Sequence, residues 1–378
     1  MNLIILICLF VFGLFYLMIG VLLFRGIHRL HTGKAAGSPR VSIVLAARNE
    51  EENIGACLDT LLSQTYPENK IEIIVVNDRS EDRTAEQIQN RMQKHPNIKR
   101  IDIETLHPDM APKKFALQQG IAKAQGEIIF TTDADCRPQP QWIASMLPYF
   151  EPDVALVAGY SPLTAEASPS LLHTFISLES LGLASVMAGS IGAGFPLTCS
   201  GRNLAYRKSV FEEIGGFEKI GHFVSGDDDL FLHLITQRTG YQVRFASDPA
   251  SVVPSRPAGN FREFSNQRTR HASKGFHYHR PLKLGLIGVY LFYLSLLLSL
   301  FFPSVYPWAL MMFGLKSCLE FALLWRTARL FSQFKVLWMV PLIMLLHIPY
   351  VVIFGLWGQF GKFRWKEARY SKKVNTVN

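Results

Sequence analysis

Two aspartates, Asp133 and Asp135, sit two positions apart directly behind the apolar run EIIFTT at residues 127–132. In extended chain, residues i and i+2 point to the same side, so both carboxylates share one face. A pair of hard oxygen ligands of this kind suits a divalent ion, Mg2+ or Mn2+. Such an ion neutralises a diphosphate as it departs. A lone Asp-x-Asp is common in loops, and its place behind a strand, beside other polar strand ends, gives this one its weight. Gly226-Asp227-Asp228-Asp229-Leu230 packs three carboxylates into consecutive positions. That crowding is costly unless a cation or solvent relieves it, and a carboxylate so placed suits a general base. The plainer reading is a capped, solvated turn ahead of a helix at residues 230–236. Lys113 and Lys114 precede another helix and offer point charges for a phosphate, or simply form an exposed basic helix start.

The segments around these residues tell how they are held. Apolar, largely β-branched runs at residues 41–46, 71–76, 127–132 and 154–159 read as buried strands. Ile54, Leu58, Leu61 and Leu62 recur at helical spacing between the first two, and residues 84–95 and 114–124 also read as helices. Strand alternating with helix predicts an α/β domain with a mostly parallel sheet. Open parallel sheets bind ligands beyond the carboxyl ends of their strands. Behind the first run comes Ala47-Arg48-Asn49-Glu50, behind the second Asn77-Asp78-Arg79-Ser80 with Asp82, and behind the third Asp133-Ala134-Asp135. These three acidic strand ends are expected to face one crevice.

The chain of 378 residues is 49% hydrophobic, which is high for a soluble enzyme of this length. The excess is concentrated. Residues 3–24 carry no charge and are long enough to cross a bilayer, as are residues 284–302 and 336–357. A weaker run at 306–325 is interrupted by Lys316 and Glu320, which at i, i+4 can pair on one helix face. No small-x-small cleavage site follows the first run, so it reads as an uncleaved anchor. Arg25, His28, Arg29, Lys34 and Arg40 follow it and predict that the next region is cytoplasmic. The net charge of +9 fits contact with anionic lipid or phosphates, or topology signals alone. Five cysteines without metal-ligand spacing argue against a disulfide framework or a zinc site. Residues 168–195 read as a membrane-surface helix or a buried helical hairpin, with the surface helix preferred. The stretch FREFSNQRTRHASKGFHYHR reads as interfacial.

In this order the motifs resemble the membrane-embedded family 2 glycosyltransferases of GT-A fold, the branch that includes cellulose, chitin and hyaluronan synthases and ceramide glucosyltransferase. The likeness covers residues 41–275 and the flanking spans. It implies an N-terminal transmembrane anchor at 1–25, a Rossmann-like GT-A domain at 40–255 and an interfacial segment at 256–282. A C-terminal transmembrane region at 283–358 and a basic tail at 359–378 would follow. It implies that Ala47, Arg48 and Glu50 line the nucleotide, that Asp78 contacts its base, and that Lys113 is the family's lysine. Asp135 would bind the metal and Asp133 the sugar nucleotide. Arg202 and Asn203, in the segment SGRNLAYR, would lie by the donor and acceptor sugars. The family's base aligns with Asp228 as GDD, or with Asp227 on the downstream Asp-Leu; the first is preferred. The family's QxxRW reads Gln267-Arg268-Thr269-Arg270-His271, with His for Trp, so Gln267 and Arg270 remain to close over the diphosphate.

The expected function is thus inverting transfer from a nucleotide-sugar, a UDP-sugar by preference, to a lipid or other membrane acceptor. Processive polysaccharide synthesis is the variant that the missing Trp disfavours. A non-catalytic membrane-bound nucleotide-sugar-binding protein is the reading of another class. The partners implied are the donor, a lipid or glycan acceptor and the membrane, with no nucleic acid. The place implied is the inner membrane, multi-pass, with the sugar-transferring domain in the cytoplasm. The basic tail conflicts with the parity of three spans after that domain, which leaves one run, the Lys316 segment by preference, to be re-entrant or interfacial.

Overall fold

The computed structural model describes residues 2–35, 37–165, 170–273, 275, 278–360, 363–365 and 368–370. It divides into two compact units, one of Arg29–Ala165 with Val186–Arg256, the other of Met1–His28, Glu166–Ser185 and Pro257–Asn378.

The first unit is built on a seven-stranded sheet: β1 (Val41–Ala47), β2 (Ile71–Asp78), β3 (Ile98–Ile103), β4 (Ile128–Thr131), β5 (Val154–Gly159), β6 (Leu204–Arg207) and β7 (Gln242–Ala246). Their spatial order is β3-β2-β1-β4-β6-β5-β7. The pairs β1–β2, β1–β4, β2–β3 and β5–β7 are parallel, while β6 runs antiparallel between β4 and β5. The register joins Ala47 to Asn77 and Val44 to Thr131, so β1, β2 and β4 end along one edge. The four predicted strands are present as a mostly parallel sheet, as the apolar runs require. β6 lies in the segment SGRNLAYR singled out by the family resemblance, and two further strands escaped the sequence reading. β3 carries Lys99, Arg100 and Asp102, and β7 carries Gln242 and Arg244, so neither is a continuous apolar run.

Helices of this unit cover the sheet: α2 (Ile54–Leu62), α3 (Thr84–Met92), α4 (Pro112–Lys123), α5 (Trp142–Met146), α7 (Lys208–Glu213) and α8 (Asp229–Arg238). Ile43, Leu45, Ile73 and Val75 pack with Leu58, Leu61 and Trp142 in one core. Opposite, α4 lies close against β1 and β2 because Gly120 lets it: a Cβ there would meet Val44 Cγ1 at 2.5 Å. This close seat fixes where Lys113, at the start of α4, points.

One buried charge organises the far end of the sheet. Glu72 on β2 is 2% exposed and accepts from Ser42 Oγ at 2.5 Å, from the Gln125 backbone N–H at 2.5 Å and from Lys99 Nζ at 2.8 Å. Burial pushes its carboxyl up, but Lys99 and the other donors outweigh burial and hold it below the usual glutamate range. A depressed folded value stabilises the fold above the unfolded pKa and loses that stabilisation as pH falls through the folded one. Glu72→Gln should therefore melt below the wild type at pH 7. The gap should close as pH falls below about 4. Melting curves of both proteins across that range check it.

The second unit contains α1 (Asn2–His28), the first part of α6 (Leu171–Gly192), α9 (Phe261–Ser273), α10 (Arg280–Ser299), α11 (Tyr306–Phe331) and α12 (Val340–Phe360). A short antiparallel pair, β8 (Phe363–Trp365) and β9 (Ala368–Tyr370), follows. Among the described residues five helices are long and apolar enough to cross a membrane: Asn2–His28, Leu171–Gly192, Arg280–Ser299, Pro303–Phe331 and Phe334–Gly358. Each expected run overlaps one of them, the run at 284–302 extending three residues past Ser299. The hairpin alternative for residues 168–195 is corrected: α6 is one unbroken helix of 22 residues, with no proline to end it. Residues 166–169 and most of the basic tail (Lys362, Lys366, Lys372 and Lys373 among it) lie outside the described residues. Lys316 and Glu320 do pair, at 2.8 Å, and Tyr16 and Tyr293 donate to the same carboxylate. Lys316 is fully buried, and this pairing across α1, α10 and α11 gives its charge an internal partner.

Candidate active site

The loops behind β1 and β2 are tied to each other rather than left free. Asn49 and Arg79 both adopt left-handed backbone, with φ of 50° and 52°. Asn tolerates that conformation readily and Arg does not, so the loop around Arg79 is held against a local preference. What holds it is a set of cross-loop hydrogen bonds. Asn49 N–H donates to Ser80 Oγ at 3.1 Å, and Glu81 N–H to Asn49 Oδ1 at 2.9 Å. Glu50 N–H donates to Thr84 Oγ1 at 2.8 Å, and Glu51 N–H to Asp82 Oδ2 at 3.0 Å. Asp78 ends β2 at 5% exposure and accepts from Arg79 Nε at 2.7 Å. Arg79 Nη2 is buried without a hydrogen-bond partner, a donor left available beside that carboxylate.

Behind β4, Thr132 Oγ1 donates to the Arg202 carbonyl at 2.9 Å, which brings the start of β6 alongside Asp133–Asp135. Asp133 Oδ1 lies 2.8 Å from Lys113 Nζ, and the same nitrogen lies 2.8 Å from Asp227 Oδ2. Two carboxylates far apart in the chain thus converge on one ammonium. Burial works against its charge, but Asp133 and Asp227 outweigh burial and hold Lys113 well above the usual lysine range. The neighbouring Lys114 is not part of this group. It is buried, and its Nζ donates to the carbonyls of Phe223 at 2.5 Å and Ser225 at 2.8 Å, supporting the loop that leads to Asp227. Adjacent helix residues point about 100° apart, which is why one lysine faces the crevice and the other the interior.

The Asp135 carboxyl is pushed up, first by burial and then by the charge of Asp133, with Arg202 pulling the other way. Asp133, Asp135 and Asp227 together carry more negative charge than Lys113 and Arg202 offset, which fits a divalent cation bound there. Among the described residues no three His, Cys, Asp or Glu side chains gather as a ready metal cage. Two carboxylates with the remaining positions filled by phosphate oxygens and water is how Mg2+ is commonly held. Cys57 contacts the Asp133 carbonyl at 3.6 Å, and burial pushes its thiol up to about 12, so it is no nucleophile.

The acidic triplet resolves into distinct roles. Asp228 is the N-cap of α8; its carboxylate accepts from Asp229 N–H at 2.7 Å and from Gly201 N–H at 3.2 Å. Asp229 is 3% exposed and accepts from Leu230 N–H at 2.8 Å. Asp227 faces Lys113. The preference for Asp228 as the crevice-facing carboxylate is therefore not what the geometry favours. Asn203, expected at the substrate, is wholly buried. It accepts from Trp142 Nε1 at 2.9 Å and donates to the carbonyls of Tyr160 and Ser251, both at 2.8 Å, so it braces the sheet instead. Ala47 is buried too and offers only backbone, while Arg48 and Glu50 are half-buried at the rim. Gln267 and Arg270 lie on α9 of the other unit, one helical turn apart. Two contributors were missed. Gly201 supplies the N–H on Asp228, and a Cβ there would sit 3.2 Å from Asp227 Oδ2. The Tyr206 hydroxyl is buried without a hydrogen-bond partner, and burial and then Asp227 push its pKa up. Neither has a signal in spacing or composition.

The model of glycosyl transferase family 21 matches residues 5–376. The chain belongs to this family. Its likeness to membrane glycosyltransferases of GT-A fold, read from the motifs, is thereby borne out at the level of family and fold. A probable glycosyltransferase of Bacillus subtilis, YdaM, is 29% identical over 238 residues, 62% of this chain and 54% of that protein. A beta-monoglucosyldiacylglycerol synthase of Synechocystis is 32% identical over 112 residues, 30% of this chain and 23% of that one. The chain thus spans about half the length of the first of these relatives and about a quarter of the second. Among solved structures, the mannosyltransferase PcManGT of Pyrobaculum calidifontis, in complex with GDP-Man and Mn2+, superposes with a TM-score of 0.60. That match covers 88% of this chain and 99% of the other at 20% identity, which speaks for the fold.

Proposed function

We infer that this family member transfers a single sugar, with inversion, from a nucleotide-sugar to a lipid acceptor in the membrane. The observation that carries the reading is the convergence of Asp133 and Asp227 on Lys113 at the carboxyl ends of β1, β2 and β4. Asp78, Arg48 and Glu50 bind the nucleotide, and Asp133 the sugar nucleotide. Asp135 and Asp133 would hold Mg2+ or Mn2+, which would neutralise charge growing on the leaving diphosphate. The Mn2+ and GDP-Man in the Pyrobaculum structure support a metal and a nucleotide-sugar here and leave a UDP-sugar and a GDP-sugar both open.

Asp227 serves as the base, since Asp228 is engaged as a helix cap. The acceptor hydroxyl gives its proton to Asp227, and its oxygen bonds the anomeric carbon from the face opposite the diphosphate. The bond to the diphosphate breaks as that bond forms, and the configuration inverts. Lys113 takes up the released negative charge. The membrane-length helices, the glycolipid synthase among the relatives and His271 in place of Trp support a lipid acceptor over a growing polymer. The basic residues after the first span support a cytoplasmic face of the inner membrane.

Membranes containing the protein, given UDP- and GDP-sugars labelled in the sugar, test this. A lipid-extractable labelled product is expected. A high-mass product sinks single transfer, and absence of both product and free nucleoside diphosphate sinks transfer itself. Within the same reading, Asp78→Ala should weaken nucleotide binding by about 1.5–3 kcal/mol, the worth of a charged hydrogen bond. Saturating donor should restore most of the rate. A defect that persists at saturation would contradict the assignment.

A further inference from the structure

Within the second unit, contacts between named residues fix the direction of each long helix. α1 and α11 run parallel. Asn2 Nδ2 donates to Ser304 Oγ at 2.9 Å just before α11 begins, and the Phe10 ring lies 5.7 Å from Trp308. A Cβ added at Gly13 would meet Met312 Sδ at 3.3 Å, and one added at Gly20 would meet Leu319 Cδ2 at 2.3 Å. α10 runs against both, since Gly13 also faces Phe292 while Phe15 faces Gly288. α12 in turn runs against α10. Tyr293 Oη lies 3.1 Å from His347 Nδ1, and a Cβ added at Gly355 would meet the Tyr290 ring at 2.9 Å. Hence α1, α11 and α12 all end where α10 begins.

Consecutive spans joined by a short loop should run in opposite directions, and α11 and α12 do not. The link between them shows how. Tyr293 donates to Glu320 at 2.9 Å and also meets His347, so those two residues lie at one depth. At 1.5 Å per helical residue, Phe331 lies about 16 Å from that depth toward the shared end, and Val340 about 10 Å the other way. The chain from Phe331 to Val340 can reach about 30 Å at full extension, enough to climb back. Ser332 makes the reversal in left-handed backbone, φ 56°, and the Ser332 and Gln333 N–H groups both donate to the Ala328 carbonyl. Phe334–Met339 then rises as 3-10 turns, with the Phe334 ring edge-on to Trp325 at 5.3 Å. Past α12, β8 lies against α9, the helix that leads into α10. Charge divides in the same sense. Arg25, Arg280, Lys283, Arg326 and Arg329 belong to the shared end, while residues 2–7, 300–308 and 340–346 carry no charged side chain. Basic residues beside spans keep to one face of a membrane.

We propose that the run Phe334–Gly358 is re-entrant, entering the bilayer and leaving it on the side where α1 ends, so that the residues after Phe360 lie on that side. The runs after the sheet unit then give two crossings rather than three, and the basic tail agrees with the basic residues behind α1. The Lys316 segment crosses: its helix carries the exposed Trp308 and Trp325 about 25 Å apart along the axis, close to a hydrocarbon thickness. None of this depends on the reaction proposed above.

The test adds one cysteine at a time to the full chain in sealed bacterial membrane vesicles, right-side-out and inside-out, and labels it with a membrane-impermeant maleimide. Cys57, Cys136 and Cys199 are buried, and Cys8 and Cys318 lie within α1 and α11, so the wild type gives a low background. Thr32→Cys and Asn375→Cys are expected to label in vesicles of the same orientation, and Ser304→Cys only in the opposite ones. Leu342→Cys should stay unlabelled in both and label once detergent is added. Melting curves check that each variant folds, and Asn378→Cys serves if Asn375→Cys does not. Labelling of the tail cysteine together with Ser304→Cys overturns the proposal, because the last run then crosses. Labelling of Leu342→Cys together with Ser304→Cys in intact vesicles also overturns it, because α12 then starts in water beyond the bilayer.

Discussion

Asp135→Ala is expected to abolish sugar transfer and metal-dependent nucleotide binding in a protein that still folds and inserts. A divalent ion stabilises charge on a leaving diphosphate by several kcal/mol, so the turnover lost should be about a thousandfold or more. The carboxyl of Asp135 is pushed up by burial and by Asp133. A carboxylate whose folded pKa is raised opposes folding above its unfolded value, and the penalty vanishes once pH falls below both. Metal-free Asp135→Asn should therefore melt at or above the wild type at pH 7, and the difference should shrink as pH falls toward about 4 and be gone below it. Added Mn2+ should raise the melting temperature of the wild type and leave the variant where it was. An Asp135→Ala protein that turns over equally with and without metal would mean that the ion, if any, is held elsewhere.

Asp227→Asn carries the second large effect. Asparagine keeps the shape and the contact with Lys113 but cannot accept the acceptor's proton. General-base catalysis contributes about 10²–10⁴-fold, so the rate at saturating donor should fall by at least about a hundredfold. Nucleotide affinity should hardly move, because the base acts on the acceptor. Asp228→Asn should show the opposite pattern. Asparagine caps α8 as well as aspartate does, but its NH2 cannot accept from Gly201 N–H, so the expected cost is that one hydrogen bond, about 1 kcal/mol of stability, with most turnover kept. Single-turnover rates, nucleotide titrations and melting curves for both variants separate the two roles. Should Asp228→Asn lose the rate while Asp227→Asn keeps it, the assignment drawn from the cap geometry is reversed.

The strands that bear the chemistry were legible because they are central. β1, β2, β4 and β5 are covered on both faces, so their sequences are largely apolar runs, interrupted inside only by the paired Ser42 and Glu72, and the polar residues at their carboxyl ends mark where they stop. The membrane-length helices were legible for the same reason, since a bilayer demands a long stretch without charge. The sheet edges were not. β3 needs one apolar face only and carries Lys99, Arg100 and Asp102 on the rest, which no run of apolar residues betrays. The hairpin alternative for residues 168–195 arose because glycines and serines, Gly182 and Ser185 among them, suggest a break. Tertiary contacts help to keep the helix continuous, among them the hydrogen bond of 2.8 Å between Ser185 and Thr327.

The sequence by itself determined the kind of fold, the family likeness and the order of the acidic strand ends. Those follow from patterns within a few residues, and local pattern is what a chain carries openly. Tertiary structure alone decided among neighbours of the same type. Lys113 and Lys114 are one residue apart, as are Asp227 and Asp228, and composition cannot rank them. The phase of α4 turns Lys113 to the crevice and Lys114 to the carbonyls of Phe223 and Ser225. The start of α8 takes Asp228 as its cap and leaves Asp227 to Lys113. Asn203 lies in the segment that resembled a substrate site, yet its amide is consumed by Trp142, Tyr160 and Ser251, partners 43 to 61 residues away. The roles of these side chains depend on where distant segments place their donors and acceptors, and that information exists only once the chain has folded.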